Sequence, residues 1–274
     1  YAPIIMATLN ADMNFYAKDG FKPDKESTWK YPATSDGWYR IHDTIRAEIA
    51  KIGGCMAKCA AGGALSAWQI KALKDIWATH ENLVHVHHGH EDDLFTPLLK
   101  ERCQNLPEKL EKDHESLLAD IKEVSAVFAA LAEGDDVAEK MGKKFEKYEQ
   151  SMLPHLEEEE KIMVPIMRAF FTQQEIGKQV AAIMQKLKPI ETGAFVHANG
   201  SKKDNNIFMA QEGIPFFVWY IDFKGKRNLY RAQFETAVQA LLTGVAPVKP
   251  LTSKAELKDA INFENFAWKK TVVA

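Results

Sequence analysis

The chain has 274 residues, of which 46% are hydrophobic and 27% charged, enough for a sizeable core in one or two domains. Its net charge of −3 offers no basic field, which argues against nucleic-acid binding, and no apolar run is long enough to span a membrane. The odd count of three cysteines favours an intracellular protein over a secreted disulfide scaffold. A first residue of Tyr1 is compatible with a removed leader, so an organelle or another compartment stays open.

Residues 1–34 show no sustained helical period and contain three prolines. Phe21, Trp29 and Tyr31 lie in this stretch, and large aromatic side chains are unfavourable when left in water. We therefore expect an N-terminal arm that packs on the rest of the protein.

Two amphipathic helices should follow. Ser35-Asp36-Gly37 is a plausible helix start, and an apolar stripe containing His42 runs from there until Gly62-Gly63 ends the helix. Ser66 can cap the second helix, whose stripe carries His87 and Glu91. The neighbouring pair, His88 and Asp92, aligns instead with a polar face, so the inward pair should be His87 and Glu91.

A third helix opens at Pro107 and carries His114 on its stripe, and a fourth carries His155 and Glu159 on its own. Residues i and i+4 of a helix share one face, so each His-x-x-x-Glu pair can reach the same metal or two adjacent ones. The second pair repeats the first, including a proline six residues after the glutamate. Four such helices with short connections predict an all-α, antiparallel up-down four-helix bundle over residues 35–172.

The C-terminal extension, 173–274, is expected to be mostly helical, and its role stays open. We predict a helix from Gln173 to Lys188, a loop over 192–206, and a helix or a hairpin strand over 214–223 that forms core around Trp219-Tyr220. A helix from Leu229 to Leu242 should end at Gly244, and a capping box at Ser253–Glu256 predicts a short last helix.

Six polar groups thus point into one bundle interior: His42, His87, Glu91, His114, His155 and Glu159. Burying carboxylates and imidazoles without partners costs several kcal/mol. Metal ligation removes that cost, and this set is too large for one tetrahedral zinc. It suits two ions bridged by carboxylates, and mixed nitrogen and oxygen ligands favour iron or manganese.

The same residues resemble the hemerythrin-like, HHE cation-binding domain over roughly 36–170. The resemblance is carried by His42, His87-x-x-x-Glu91 with Leu94-Phe95-x-Pro97, His114, and His155-x-x-x-Glu159 with Pro165. It implies a non-haem diiron centre at the six positions, bridged by Glu91 and Glu159 and by an oxo, hydroxo or water ligand. It also implies O₂ or another small diatomic molecule as ligand, for reversible binding or for sensing of oxygen, nitric oxide or iron.

One position departs from the family pattern. In the oxygen-carrying hemerythrins the third helix supplies two histidines four apart, for five in all, whereas Leu118 stands at the second place here. We expect Leu118 to face the interior one turn after His114, so that one iron loses a histidine and gains an open or water-filled position. This favours iron binding, sensing or oxygen activation over simple oxygen carriage.

Three functions therefore stay open: a metal- and O₂-binding or sensing protein, which we favour; a diiron oxidase or peroxidase-like enzyme; and a structural subunit that binds a protein partner through the extension. The remaining titratable residues near the motifs are expected on solvated faces: His80, His85, His88, His90, Glu157, Glu158 and Glu160. Contact of His88 or His90 with the edge of the site stays open.

Overall fold

A computed structural model of the protein describes residues 8–24 and 29–247. Within these ranges the structure is helical, and an isolated bridge between Ala17 and Cys103 is the nearest approach to a sheet. None of the described helices has the length and apolar character needed to cross a bilayer. The α-helices are α1 (Gly37–Gly62), α2 (Ala67–His90), α3 (Thr96–Arg102), α4 (Glu108–Ala130), α5 (Val137–Phe170), α6 (Gln173–Lys186), α7 (Pro189–Ala198), α8 (Lys202–Gln211), α9 (Lys224–Tyr230) and α10 (Thr236–Thr243).

The helix ends follow the signals in the sequence. The Asp36 carboxylate caps α1 by accepting from the Trp38 N–H at 3.1 Å, and Gly63 ends that helix at a φ of 85°. Gly244 ends α10 in the left-handed conformation. Each signal satisfies backbone groups that a helix terminus leaves without an intrahelical partner.

Four long helices build the main core. α4 packs on α5, α1 packs on both α5 and α2, and α2 packs on α4. Ile45, Ile49 and Ile52 of the predicted stripe on α1 are fully buried. The helical bundle expected over this part of the chain is therefore confirmed in its all-helical character.

The C-terminal helices join the same core. α7 packs on α1 and α9, and α10 packs on α1 and α2. Tyr230, Phe234, Val238 and Leu241 are buried in the same cluster as the stripe residues of α1 and α2.

The loop predicted over 192–206 is wrong, because most of this stretch forms α7 and α8. Gly193 is there for packing rather than for a turn, since a Cβ at this position would lie 2.2 Å from the Lys226 carbonyl oxygen. Residues 199–201 connect the two helices, and Gly200 among them adopts a φ of 94°, which glycine tolerates without strain. Ser201 then caps α8 by accepting from the Asp204 N–H.

The remaining expectations for the arm and the extension are confirmed in part. Residues Trp219–Phe223 form a π-helical turn in which Trp219 is buried, but Tyr220 is 58% exposed, so the expected core stretch is only partly core. The N-terminal arm does pack, since Trp29 is buried and its Nε1–H donates to the Phe171 carbonyl at 2.9 Å. The helix predicted around Ser253–Glu256 lies outside the described residues.

A buried polar network ties the extension to the bundle. His80, expected on a solvated face, is fully buried, with Nδ1 2.9 Å from Glu48 Oε2 and Nε2 2.7 Å from the Tyr148 hydroxyl. The Tyr230 hydroxyl donates to the other Glu48 oxygen at 2.8 Å. The expectation for His80 failed because its polar partners are themselves internal, so the imidazole is satisfied without water.

We expect Tyr230→Phe to lower the free energy of unfolding by about 1–3 kcal/mol, because Glu48 would keep a buried oxygen without its donor. Urea unfolding followed by circular dichroism measures the change. Tyr220→Phe is the matched control and should have no effect, since that side chain is 58% exposed. Equal stability of the Tyr230 variant and the wild type would contradict the role given to this bond.

Candidate metal centre

The structure brings all six sequence-predicted site residues together in the core. His42, His87, Glu91 and Glu159 form one group, in which each residue offers a ligand atom within 4.8 Å of the others. All four side chains are buried. They come from α1, α2, the turn after α2, and α5, so three long helices must pack correctly to assemble this group.

A second group, with the same spacing limit, contains His114 and His155 together with His88. The expectation of a solvated His88 is wrong, because this side chain is 2% exposed and stacks on His114 with ring centroids 4.4 Å apart. Consecutive helical residues point about 100° apart. His87 therefore packs on His42 of α1, while His88 packs against the histidines of α4 and α5.

The two glutamates lie between the groups. Glu91 Oε1 is 3.4 Å from His87 Nε2, and its Oε2 is 3.6 Å from His114 Nε2. Glu159 Oε2 is 3.4 Å from His155 Nε2, and its Oε1 is 3.3 Å from His114 Nε2. Ligand atoms bound at about 2.1 Å to one ion stand about 3.0–3.5 Å apart, so these separations fit coordination. Each carboxylate turns its two oxygens towards different imidazoles.

Carboxylates on the outer side hold two of the imidazole rings. His42 Nδ1 lies 3.0 Å from Glu160 Oε1, and His114 Nδ1 lies 2.8 Å from Asp92 Oδ1. A protonated Nδ1 that donates to a carboxylate leaves the Nε2 lone pair free to bind a metal. Both rings turn Nε2 towards the glutamates.

The acidic run of α5, residues 157–160, is mostly buried and does not form a solvated face. Glu158 and Glu160 are buried, contrary to expectation, while Glu157 is exposed as expected. Glu160 pairs with both guanidinium nitrogens of Arg46 at 2.6 and 2.9 Å, and Glu158 pairs with Lys109 at 2.7 Å. Ion pairing compensates for much of the loss of hydration of these carboxylates.

A π-helical turn, Glu91–Phe95, positions the first glutamate. Its closing bond runs from the Thr96 N–H to the Glu91 carbonyl, five residues back. Pro97 has no N–H, and its ring would clash with the Asp93 carbonyl in a regular α-helix. The wider turn absorbs that conflict, and such turns are frequent at functional sites.

Burial and neighbouring charges shift the pKa values of the site. Burial lowers the pKa of His42, but hydrogen bonds to Glu160 and Glu91 outweigh it and raise this pKa to about 9. Burial, reinforced by the other imidazoles, holds the pKa of His87 and of His88 well below the usual value. Burial and the Glu159 charge raise the pKa of Glu91. His87 and His88 are therefore neutral at pH 7, the form in which imidazole binds metals.

Leu118 does not face the site. Its side chain is 37% exposed, whereas Leu117 is buried in the core. The expectation that Leu118 faces the interior and leaves an open position at the metal is therefore wrong.

The family comparison agrees with this geometry. Residues 34–167 match the model of the hemerythrin HHE cation-binding domain. Residues 34–167, just under half of the chain, therefore form a hemerythrin HHE domain. No curated protein and no solved structure matches the chain. Cation binding is thus the property that the family and the clustered ligands share.

The residues missed in this HHE domain had a signal in the sequence. Each motif glutamate is followed at once by a second acid, Asp92 after Glu91 and Glu160 after Glu159. Each of these second acids holds the Nδ1 of a histidine on a neighbouring helix. The doubled His-x-x-x-Glu-acid pattern therefore encodes both the candidate ligands and the groups that orient them.

We expect Glu160→Ala to weaken metal binding about 10- to 100-fold, the usual cost of removing a group that orients a ligand histidine. Competition with a chromogenic chelator measures the affinity. Glu157→Ala is the control, because this exposed residue lies in the same acidic run and contacts Lys161 instead. Equal losses in the two variants would mean that overall charge, and not the His42 contact, sets the affinity.

Proposed function

We propose that the HHE domain is an antiparallel up-down four-helix bundle, within residues 35–172, that binds two iron ions and a small diatomic ligand such as O₂. The observation that carries this proposal is a set of buried polar atoms with no hydrogen-bond partner among the described residues. They include His42 Nε2, His87 Nε2, both ring nitrogens of His88 and of His155, both Glu91 oxygens and Glu159 Oε2.

Each such atom costs about 1–3 kcal/mol when it is left unsatisfied in a core. Native cores contain few of them, and a cluster needs an explanation. Imidazole nitrogens and carboxylate oxygens are metal ligands, so coordination satisfies the whole cluster at once.

Two ions account for the residues better than one. His42 and His87 lie on one side of the glutamates, and His88, His114 and His155 lie on the other. We assign Glu91 and Glu159 as bridging ligands because each carboxylate contacts imidazoles of both groups. Nitrogen and oxygen ligands suit iron, and manganese would also fit this set.

His88 restores the number of histidines expected in the family. With His88 included, five imidazoles and two carboxylates surround the proposed centre. The oxygen-carrying hemerythrins also use five histidines. The fifth imidazole comes from α2 instead of α4. This count favours binding or sensing of the diatomic ligand over the oxidase function, because the outward-facing Leu118 leaves no extra open position at the metal.

Bound iron would supply reversible ligation of the diatomic molecule and the associated redox change. The protein's own residues would orient the metal ligands and keep water away from the metal. Glu160 and Asp92 fix ring orientation by accepting from Nδ1, and burial of the ligand side chains excludes water. Trp38 and Phe95, with ring centroids 5.0 Å apart, add apolar surface beside His42.

Substitution of candidate ligands tests the metal assignment. We expect His87→Ala, His88→Ala and His155→Ala each to lower the iron content measured by elemental analysis, because each removes a buried ligand. His85→Ala is the control, since this side chain is 48% exposed on the same helix. Two irons per chain retained in all three variants would refute the assignment, and loss in the His87 variant without loss in the His88 variant would remove His88 from it.

The visible spectrum tests the function. We expect the reduced, iron-loaded protein to change its absorption on exposure to O₂ and to recover when O₂ is removed. Continuous consumption of O₂ with an added reductant would instead support the oxidase alternative. A folded protein that takes up no metal would leave only the structural role.

A further inference from the structure

A cavity of about 100 Å³ lies between α6 and the bundle, beside the candidate metal centre. Its walls are mostly apolar, and they include Ile41 of α1 and Leu83 and Val86 of α2. The proposed metal ligands and the side chains of the core leave this space unfilled.

The outer wall of the cavity comes from the C-terminal extension. Ile176, Val180, Ile183 and Leu187 of this wall recur at steps of four and three, which places them on one face of a helix. Within α6, which is described in full, Ile176 alone is buried. The apolar face of α6 therefore covers the bundle without filling the space beneath it. This face lies outside residues 34–167, the part that matches the hemerythrin family.

Two residues of the candidate metal centre also line the cavity, His87 and Glu91. Both are buried, and neither His87 Nε2 nor the Glu91 oxygens have a hydrogen-bond partner in the described structure. A molecule in the cavity therefore reaches residues that we assign to the metal.

Asp36 and Glu191, at the margin of the cavity, already take part in hydrogen bonds, and the second Asp36 oxygen lies 3.6 Å from an Arg168 guanidinium nitrogen. Asp36 accepts from the Trp38 N–H at 3.1 Å, and Glu191 accepts from the Asn82 amide at 2.6 Å and from the Lys188 N–H at 2.7 Å. The lining atoms without a hydrogen-bond partner among the described residues, His87 Nε2, both Glu91 oxygens, Asp36 Oδ2 and Trp38 Nε1, are themselves buried and present almost no surface to the cavity. A polar ligand or an ordered water needs two to four polar partners, so this lining favours an apolar occupant.

The volume limits the size of that occupant. An engineered apolar cavity of about 150 Å³ stays dry and binds benzene or xenon. The smaller cavity here suits a molecule of a few heavy atoms, and it is too small for an acyl chain or a drug-sized ligand, whose sites occupy about 300–1,000 Å³.

We propose that the face of α6 and the bundle together form a binding pocket for small apolar molecules of the size of O₂, and that this pocket serves the metal centre. Transfer of such a molecule from water into apolar surroundings is favourable, so the pocket raises its concentration beside His87 and Glu91. The C-terminal extension thereby gains a function: it builds the gas pocket that the family domain alone lacks. The pocket itself does not depend on the metal, whereas its role in delivery rests on the proposed function.

Xenon tests the pocket independently of iron. Crystals of the full chain, prepared with and without iron, are pressurised with xenon, and the anomalous signal locates the gas. We expect a xenon site beneath α6 in both forms, lost in Val180→Phe because the larger ring fills the cavity. Val127→Phe is the matched control, since Val127 is a half-buried valine of α4 that packs away from this cavity.

A stopped-flow measurement then tests delivery. The reduced, iron-loaded Val180→Phe protein should react with O₂ several-fold more slowly than wild type, with unchanged iron content, while Val127→Phe reacts at the wild-type rate. Thermal unfolding checks that the variants fold, and Ile183→Phe replaces Val180→Phe if the latter does not.

The outcomes separate the two proposals. Absence of xenon from the wild type, or equal xenon in Val180→Phe, overturns the pocket. Loss of xenon with an unchanged O₂ rate overturns its role in delivery. Xenon binding in a protein that takes up no iron supports the pocket and refutes the proposed function instead.

Discussion

The structure depends on one constraint, the burial of two carboxylates and five imidazoles at the centre of an apolar helical bundle. Burial of these groups without partners would cost several kcal/mol. Hydrogen bonds and ion pairs with the surrounding residues reduce that cost. Glu160 and Asp92 engage the Nδ1 atoms of two histidines. Arg46 in turn neutralises Glu160 on the outer side of the bundle. The candidate ligand side chains are thus left with unsatisfied atoms on their inner side, in groups that could hold a metal ion.

Helical periodicity was sufficient to identify the inward face of each long helix. It placed His42, His87, Glu91, His114, His155 and Glu159 on apolar stripes, and the structure collects these six side chains in one place. The same method failed for His88 and Leu118, because a stripe assigns one inward direction to each helix. Near the site α2 is flanked by histidines of several helices, so two consecutive residues are both internal, and the register of α4 turns Leu118 outward.

Predictions from residue charge and composition also failed where tertiary contacts decide the structure. Glu158, Glu160 and His80 were expected in solvent because their side chains are polar, yet each has a partner inside the fold. The glycine, asparagine and lysine content of residues 192–206 predicts a loop. Gly193 instead allows α7 to approach Lys226 of α9, a tertiary requirement that no local pattern contains. Sequence alone therefore predicted the long helices and the six polar residues that cluster in the core, but it did not predict the partners of the other buried polar groups.

The contact between Tyr230 and Glu48 has a consequence for cooperativity. It joins a residue of the extension to one in the middle of α1, and the helices around Tyr230 share a hydrophobic cluster with the family domain. Unfolding of the extension would expose that cluster and leave the buried Glu48 carboxylate without the Tyr230 donor, so the two parts lose their structure together. The described part of the extension should therefore unfold together with the HHE domain and not before it, although the family match covers just under half of the chain.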